Sequence, residues 1–390
     1  MNAEGSKFSK IFRGDPWIWA IVIILSLVGI LAVYSATGGL AFSKQGGNTE
    51  FYFLRHTGFL LIGFGFLYLC HLINYQYFSR LSQLFIWISI ILLVVTLAIG
   101  SEINNATRVL PIPGLGITFQ TSDMAKLFLI MYIARYLSKK QEEIDSFKVF
   151  RNILAVIILV VLLIAPENLS TALLVFVTCC LLLYIGRINF KYLALLGIAG
   201  ATAMSLLVVI LLNINVDNMS NSRIPTWKKR IETFTGKDNG ESNYQQLQSK
   251  IAVTTGGLFG KGPGNSTQRN FLPHPYSDFI YAIIVEEYGF VGGAGMVLLF
   301  LILIFRCIKI VVDSPKAFGA LLALGLCLSM SFQAFVNMGV AVGMLPVTGL
   351  TIPLVSMGGT SLVFNSIAFG VILSVSRTIQ EEKAEKVNAA

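Results

Sequence analysis

The sequence predicts an all-α polytopic integral membrane protein of about ten transmembrane helices, with both termini cytoplasmic and one long extracytoplasmic loop. Three observations predict it. Of the 390 residues 55% are hydrophobic and only 13% are charged, and the mean hydropathy of +0.74 is far from the soluble average. The apolar residues gather in uncharged runs approaching about 20 residues, the length a helix needs to cross the hydrocarbon core. The Lys and Arg residues fall mainly in every second segment between those runs, as they do where cytoplasmic loops collect positive charge.

The first run, Trp17 to Tyr34, follows Lys7, Lys10 and Arg13. It is too long for a secretory signal and lacks a convincing cleavage site, so it reads as the first span. Further spans are expected near 52–73, 82–100, 122–137, 150–165, 169–186, 192–212, 279–305, 317–339 and 360–376. With the N-terminus inside, the inside segments hold Arg80, then Arg135, Lys139, Lys140, Lys148 and Arg151, then Arg187 and Lys191. Arg306, Lys309 and Lys316 follow, and Arg377, Lys383 and Lys386 close the series. The segment 213–277 is basic yet falls outside, which long loops tolerate because they translocate largely regardless of charge. Residues 1–390 are thus read as one membrane domain with the loop 213–277 inside it.

The net charge of +9 does not point to nucleic acid, because the basic residues are scattered rather than gathered with aromatics on one face. Cys70, Cys179, Cys180, Cys307 and Cys327 all lie in apolar runs, and none has metal-ligand spacing with a histidine. Neither a disulfide framework nor a zinc site is expected.

Five polar features stand out against this background. The long loop holds Arg223 and the run WKKRIETF, with Lys228, Lys229 and Arg230 beside Trp227. Such a run suits an interfacial helix on anionic headgroups, or a phosphate site. The loop ends in TTGGLFGKGPGNSTQ, which fits neither G-x-x-x-x-G-K-S/T nor G-x-G-x-x-G, so nucleotides are rejected. Its glycines make either an ordinary flexible loop or a backbone nest for a pyrophosphate. In FQTSDMAKL, Ser122 or Asp123 is a candidate helix cap. Lys126, three residues beyond Asp123 and entering a span, is either half of a structural ion pair or a functional cation.

In APENLSTALL, Pro166 and Glu167 occupy a very short outside turn, with Asn168 or Ser170 as the cap of the next helix. In NMGVAVGMLPVTGLTIPLVSMGGTSL, glycines and prolines interrupt an apolar segment. Irregular backbone at membrane depth survives only when buried in protein or lining a cavity, so a re-entrant or broken stretch beside a pocket is expected. Finally, LPHPYSDFIYAIIVEEYG places Asp278, Glu286 and Glu287 at or within an apolar segment. Pro273 and Pro275 disfavour helix before them, so the span should begin at Ser277 or Asp278 and present that carboxylate at the pocket's mouth.

The set FQTSDMAK, PENLSTALL, GPGNSTQRNFLPHPYSDFIYAIIVEEYGF and NMGVAVGMLPVTGLTIPLVSMGGTS, in order along the spans, resembles the SEDS family, the FtsW and RodA peptidoglycan glycosyltransferases. GNSTQRNFLPHPYSDF looks more like FtsW, the division member, than RodA, the elongation member. The resemblance implies polymerisation of lipid II outside the bacterial cytoplasmic membrane, beside a class B penicillin-binding protein that cross-links the glycan and other membrane proteins of the division site. It assigns Asp278, in the motif L-P-x-x-x-T/S-D-F, as the catalytic residue. It aligns Asp123 and Lys126 with an acidic and Lys pair after Q-P-S, although Thr121 stands for Pro and Asp123 for the usual Glu. The family's P-D-x-G-T corresponds only loosely to Pro166, Glu167 and Thr171. Its S-Y-G-G-S-S begins here at Ser356 as SMGGTS, keeping the glycines and losing the aromatic at Met357.

The implied chemistry is one these residues could perform. Attack of a sugar hydroxyl on an anomeric carbon that carries a lipid pyrophosphate requires a base for the nucleophile and positive charge on the departing phosphates. Asp278 supplies the base. Lys126, Arg108, Arg223, Lys228, Lys229 and Arg230 are candidates for the charge, with Lys126 assigned to the donor pyrophosphate. A divalent cation, Mg²⁺ or Mn²⁺, is the cofactor that could bridge phosphate oxygens. Glu167 and Ser356 join the substrate-binding candidates by motif position. A hydrolase with paired carboxylates is disfavoured, since Asp278 and Glu286 on one helix would be about 12 Å apart along its axis. Glu286 and Glu287 are therefore expected to serve structure or coupling. The competing class is a transporter that flips the lipid-linked precursor. A carrier should hold ionisable groups near the midplane, whereas Asp123, Lys126, Glu167 and Asp278 cluster toward the outer face.

Overall fold

The structure, a computed structural model, describes residues 12–45, 48–102, 107–112, 117–213, 224–234 and 241–389. In chain order its elements are α1 (Pro16–Ala36), α2 (Gly38–Gln45), α3 (Thr49–Leu72), α4 (Tyr75–Ile99), β1 (Ser101–Glu102), β2 (Thr107–Ile112), β3 (Ile117–Gln120) and α5 (Thr121–Lys139). They continue as α6 (Phe147–Ile164), α7 (Leu169–Ile185), α8 (Phe190–Asn213), α9 (Ile224–Phe234), α10 (Glu241–Thr255), α11 (Ile280–Asp313), α12 (Ala317–Ala341) and α13 (Thr360–Ala389).

Eight of these helices are long and apolar enough to cross a membrane: α1, α3, α4, α6, α8, α11, α12 and α13. The other two expected spans are α7, apolar but only 17 residues long, and α5, which has the length but carries Asp123, Lys126 and Arg135. The boundaries differ from expectation where caps decide them. Helix α4 starts at Tyr75 because the Asn74 side chain accepts the Gln76 N–H, satisfying an orphan donor of the first turn. The antiparallel sheet β1-β2-β3 was not expected. Its strands are short and β2 contains a proline, and they pair where α4 and α5, which both touch β2, hold the two ends of the segment together.

The start of the first described segment meets the C-terminal part of α13 and α11. Arg13 Nη1 lies 3.2 Å from Glu381 Oε1, the Gly14 N–H donates to Gln380 Oε1 at 3.2 Å, and Arg306 forks onto Asp15 Oδ2 at 2.8 and 2.5 Å. At the other end of α1, Ser35 accepts from Arg269 Nη1 on its carbonyl at 3.2 Å. The segment after α10 therefore sits at the bundle end opposite the termini, as the charge pattern predicts. Helix α12 is central, packed against α5, α7, α11 and α13. Helix α8 is peripheral and leaves nearly all of its surface outside the bundle.

Candidate active site

Helix α12 stops at Ala341, and residues 342–359 form neither helix nor strand before α13 begins. This is the broken segment that its Gly and Pro content predicts. At membrane depth its backbone polar groups need protein partners, and α12 supplies several. Asn337 Nδ2 donates to the Leu350 carbonyl at 2.6 Å and to the Asp278 carbonyl at 2.8 Å. Gln333 Nε2 donates to the Thr351 carbonyl at 2.7 Å. Ser356 Oγ accepts the Ile352 N–H at 2.9 Å and donates to the Ser277 carbonyl at 2.8 Å, while the Met357 N–H donates to the Tyr276 carbonyl at 2.9 Å. Residues 276–278 are thereby tied to 350–357.

That tie moves the start of α11. The helix begins at Ile280 rather than at Ser277 or Asp278, and its N-cap, Phe279, makes no side-chain cap bond. Asp278 is therefore not a helix cap, because the backbone around it is committed to the broken segment. The half-buried side chain accepts from Ser277 Oγ at 3.1 Å through Oδ1. Its Oδ2 faces Gly349, where an added Cβ would stand 3.6 Å from that oxygen and 4.0 Å from Arg230 Nη2. With φ at +70°, a conformation that suits glycine, Gly349 is the point at which carboxylate and guanidinium face the same backbone.

Arg230 Nη1 also lies 3.5 Å from the Thr348 carbonyl. With Trp227 and Ile231 it shares one face of α9, as spacings of three and four residues require. That face lines a cavity of about 550 Å³, whose other walls are apolar residues such as Leu173, Met204 and Phe335 from α7, α8 and α12. The rest of the basic group does not converge there. Lys228 turns to Glu232 at 3.7 Å, and Lys229 is exposed. Arg223 lies outside the described residues, and Arg108 sits on β2 with a side chain that also lies outside them.

Lys126, expected to contact a pyrophosphate, is held by partners within the chain. Its Nζ lies 3.3 Å from Asp123 Oδ1 and donates to Gln333 Oε1 at 2.6 Å, and both charged side chains are only 7% exposed. A buried ammonium needs a counter-charge, and here this chain provides it. Neither Ser122 nor Asp123 caps α5, whose N-cap is Gln120 without a side-chain bond. Ser122 Oγ instead donates to the buried Glu167 at 3.1 Å. Asn168 caps α7 as expected, accepting the N–H groups of Ser170 and Thr171.

Gln333 and Asn337 were not identified from sequence. They stand four residues apart on α12, hence on one face, and connect Lys126 through Thr351 to the Asp278 segment. The available signal was two amides at helical spacing within an otherwise apolar span.

Glu286 and Glu287 organise the glycine-rich loop. Glu286, fully buried, accepts from Lys261 Nζ at 2.5 Å, Ser266 Oγ at 2.5 Å, Thr267 Oγ1 at 2.8 Å and the Gln268 N–H at 3.2 Å. Glu287 accepts from Ser35 Oγ and from the Ser266 N–H. These side chains of the glycine-rich loop thus serve a carboxylate of this same chain. Glycine is required where the loop crosses the break in α11: a Cβ on Gly260 would stand 2.1 Å from the Glu287 carbonyl, and one on Gly289 2.3 Å from that of Leu258.

Among the described residues no three His, Cys, Asp or Glu side chains group as a metal site. At Asp278 the chain offers one carboxylate, the group that would hold Mg²⁺ or Mn²⁺ there, since such an ion binds through one or two carboxylates together with substrate phosphates.

The comparisons with known proteins agree with this architecture. The family FTSW_RODA_SPOVE, described as "Cell cycle protein", matches residues 16–381. Stage V sporulation protein E of Bacillus subtilis (strain 168) is 34% identical over 372 residues, covering 93% of this chain and 97% of that protein. The probable peptidoglycan glycosyltransferase FtsW of Escherichia coli O157:H7 is 33% identical, with 98% and 91% covered, and that of Geobacter sulfurreducens (strain DL-1 / KN400) is 30% identical, with 96% and 98% covered. Among solved structures, a chain of a peptidoglycan synthase complex that coordinates polymerization and crosslinking superposes with a TM-score of 0.70 at 24% identity, covering 94% of this chain and 98% of that one. The rod shape determining protein RodA of Thermus thermophilus gives 0.66 at 24%, with 93% and 97% covered, and both likenesses concern the fold. With the family matched over nearly the whole length and relatives above 30% identity covered end to end, this chain belongs to the SEDS family of FtsW, RodA and SpoVE.

Proposed function

We propose that this chain is a peptidoglycan glycosyltransferase that polymerises lipid II at the outer face of the cytoplasmic membrane, acting in cell division. The observation that carries this reading is Asp278: a half-buried carboxylate, not used as a helix cap, facing the same glycine as Arg230 at an apolar cavity. In the reaction, an acceptor hydroxyl gives its proton to Asp278 as its oxygen bonds the anomeric carbon of the donor. The bond from that carbon to the lipid pyrophosphate breaks, and Arg230 is the cation placed to meet the charge that develops on the leaving group. The apolar cavity suits the polyprenyl chain. Lys126 acts from behind, through Gln333, as a positioning residue.

The outer location is supported by the basic inside segments and by the separation of the chain ends from the segment after α10. A reporter fused after Ala390 should be cytoplasmic, and one inserted between α9 and α10 should be extracytoplasmic; both on one side would overturn the topology. The likeness to a chain of a complex that coordinates polymerization and crosslinking supports a crosslinking partner, which we assign to the class B penicillin-binding proteins, alongside other division-site membrane proteins. The direct test gives the purified chain, alone and with such a partner, labelled lipid II in vesicles. Glycan ladders are expected. Translocation of lipid II without polymer would replace the enzyme with a flippase.

A further inference from the structure

We infer that a second cavity, lined by Arg55 and His56, is a carbohydrate subsite that holds the saccharide of the acceptor beside the Asp278 segment. The cavity measures about 350 Å³ and is bounded by Tyr52, Arg55 and His56 of α3, by Tyr276, and by Gly358 and Gly359 of the broken segment. Tyr276 lies two residues before Asp278 and is bonded to Met357, so the backbone that carries the carboxylate is also a wall of this cavity.

The polar groups here are unmet. His56 is 1% exposed, yet among the described residues neither ring nitrogen has a hydrogen-bond partner, nor does Oγ1 of the next residue, Thr57. Leaving a buried polar atom without a partner is costly, so two on one ring are worth keeping only if something completes them. A neutral imidazole offers one donor and one acceptor. A sugar hydroxyl or acetamido group offers the same pair in return, whereas a phosphate offers acceptors alone. Tyr52 and Tyr276 add aromatic surface, and Arg55 is exposed at the rim, placed for an anionic group attached to the sugar. The first cavity has the opposite character and suits hydrocarbon. A transfer between two lipid-linked saccharides has to present a hydroxyl from one side and an anomeric carbon from the other, and the two unlike cavities divide that work.

This inference rests on the polymerase reading for its acceptor, and the test keeps the two separable. The probe is the disaccharide pentapeptide of lipid II without its polyprenyl pyrophosphate, which carries no leaving group and cannot serve as donor. Its binding to the purified full chain is followed by saturation-transfer NMR, beside a glycan assay with intact lipid II. His56→Phe keeps the ring volume and removes both nitrogens, so its melting temperature should be unchanged or higher while affinity for the probe falls about tenfold or more. His56→Gln, which restores one donor and one acceptor, should recover most of that loss. Probe affinity unchanged in His56→Phe, or no probe binding by a wild-type chain that binds lipid II, overturns the subsite. If glycan is made in either case, the polymerase reading stands. If the probe binds through His56 but lipid II is never polymerised, that reading fails and the carbohydrate site remains.

Discussion

Asp278→Asn is expected to lower the rate of glycan polymerisation by about 10²-fold or more, the usual consequence of losing a general base, while folding, membrane insertion and lipid II binding stay near those of the wild type. The structure removes the main competing explanation for this carboxylate. A capping aspartate could be replaced by asparagine at little cost, but α11 starts at Ile280 with Phe279 as its N-cap and no side-chain cap bond. The bond from Ser277 Oγ to Oδ1 can be kept by an amide oxygen, and the backbone carbonyl held by Asn337 is untouched. The substitution therefore changes proton acceptance and charge, and little else. Single-turnover assays with labelled lipid II at saturating substrate measure the effect. A rate close to wild type would mean that Asp278 takes no proton in the reaction.

Lys126→Met should have the second largest effect, and on stability first. The ammonium is held between Asp123 and Gln333. Removing it leaves a carboxylate buried without its counter-charge, a change that typically costs about 3–5 kcal/mol, and among the described residues Asp123 Oδ2 already has no partner to compensate. Gln333 would lose its acceptor's partner and with it part of the grip on Thr351. We expect a markedly lower melting temperature in detergent and reduced polymerisation, with most of the stability regained in Asp123→Asn/Lys126→Met, since neutralising both members removes the stranded charge. A Lys126→Met protein that melts like wild type but binds lipid II weakly would instead place the ammonium on substrate.

The spans, the break after α12 and the family motifs were legible in the sequence because each depends on local properties. Uncharged runs demand helices in lipid, since no water is present to satisfy the backbone, and the Gly and Pro cluster between 339 and 359 cannot continue one. Asn168 was readable as a cap for the same reason, its partners being its own next residues. The residue types at the site were readable too: Asp278, Lys126 and Asp123 are ionisable groups where hydrocarbon makes them expensive, and Arg230 stands in a basic run beside a tryptophan.

Their partners were not readable, because pairing across long separations depends on which helices become neighbours. Lys126 meets Gln333, 207 residues away, only because α12 packs on α5. Lys261, Ser266 and Thr267 of the glycine-rich loop meet Glu286 because the loop packs across the break at Gly289. Ser122 bonds Glu167 instead of capping its own helix, since the turn before α7 lies over the start of α5. Asp278 escapes a capping role because Asn337 and Ser356 hold the backbone around it out of the helix. In each case a local preference worth about 1 kcal/mol yields to the larger cost of leaving a buried charge or backbone group without a partner, and only packing establishes which groups become buried together.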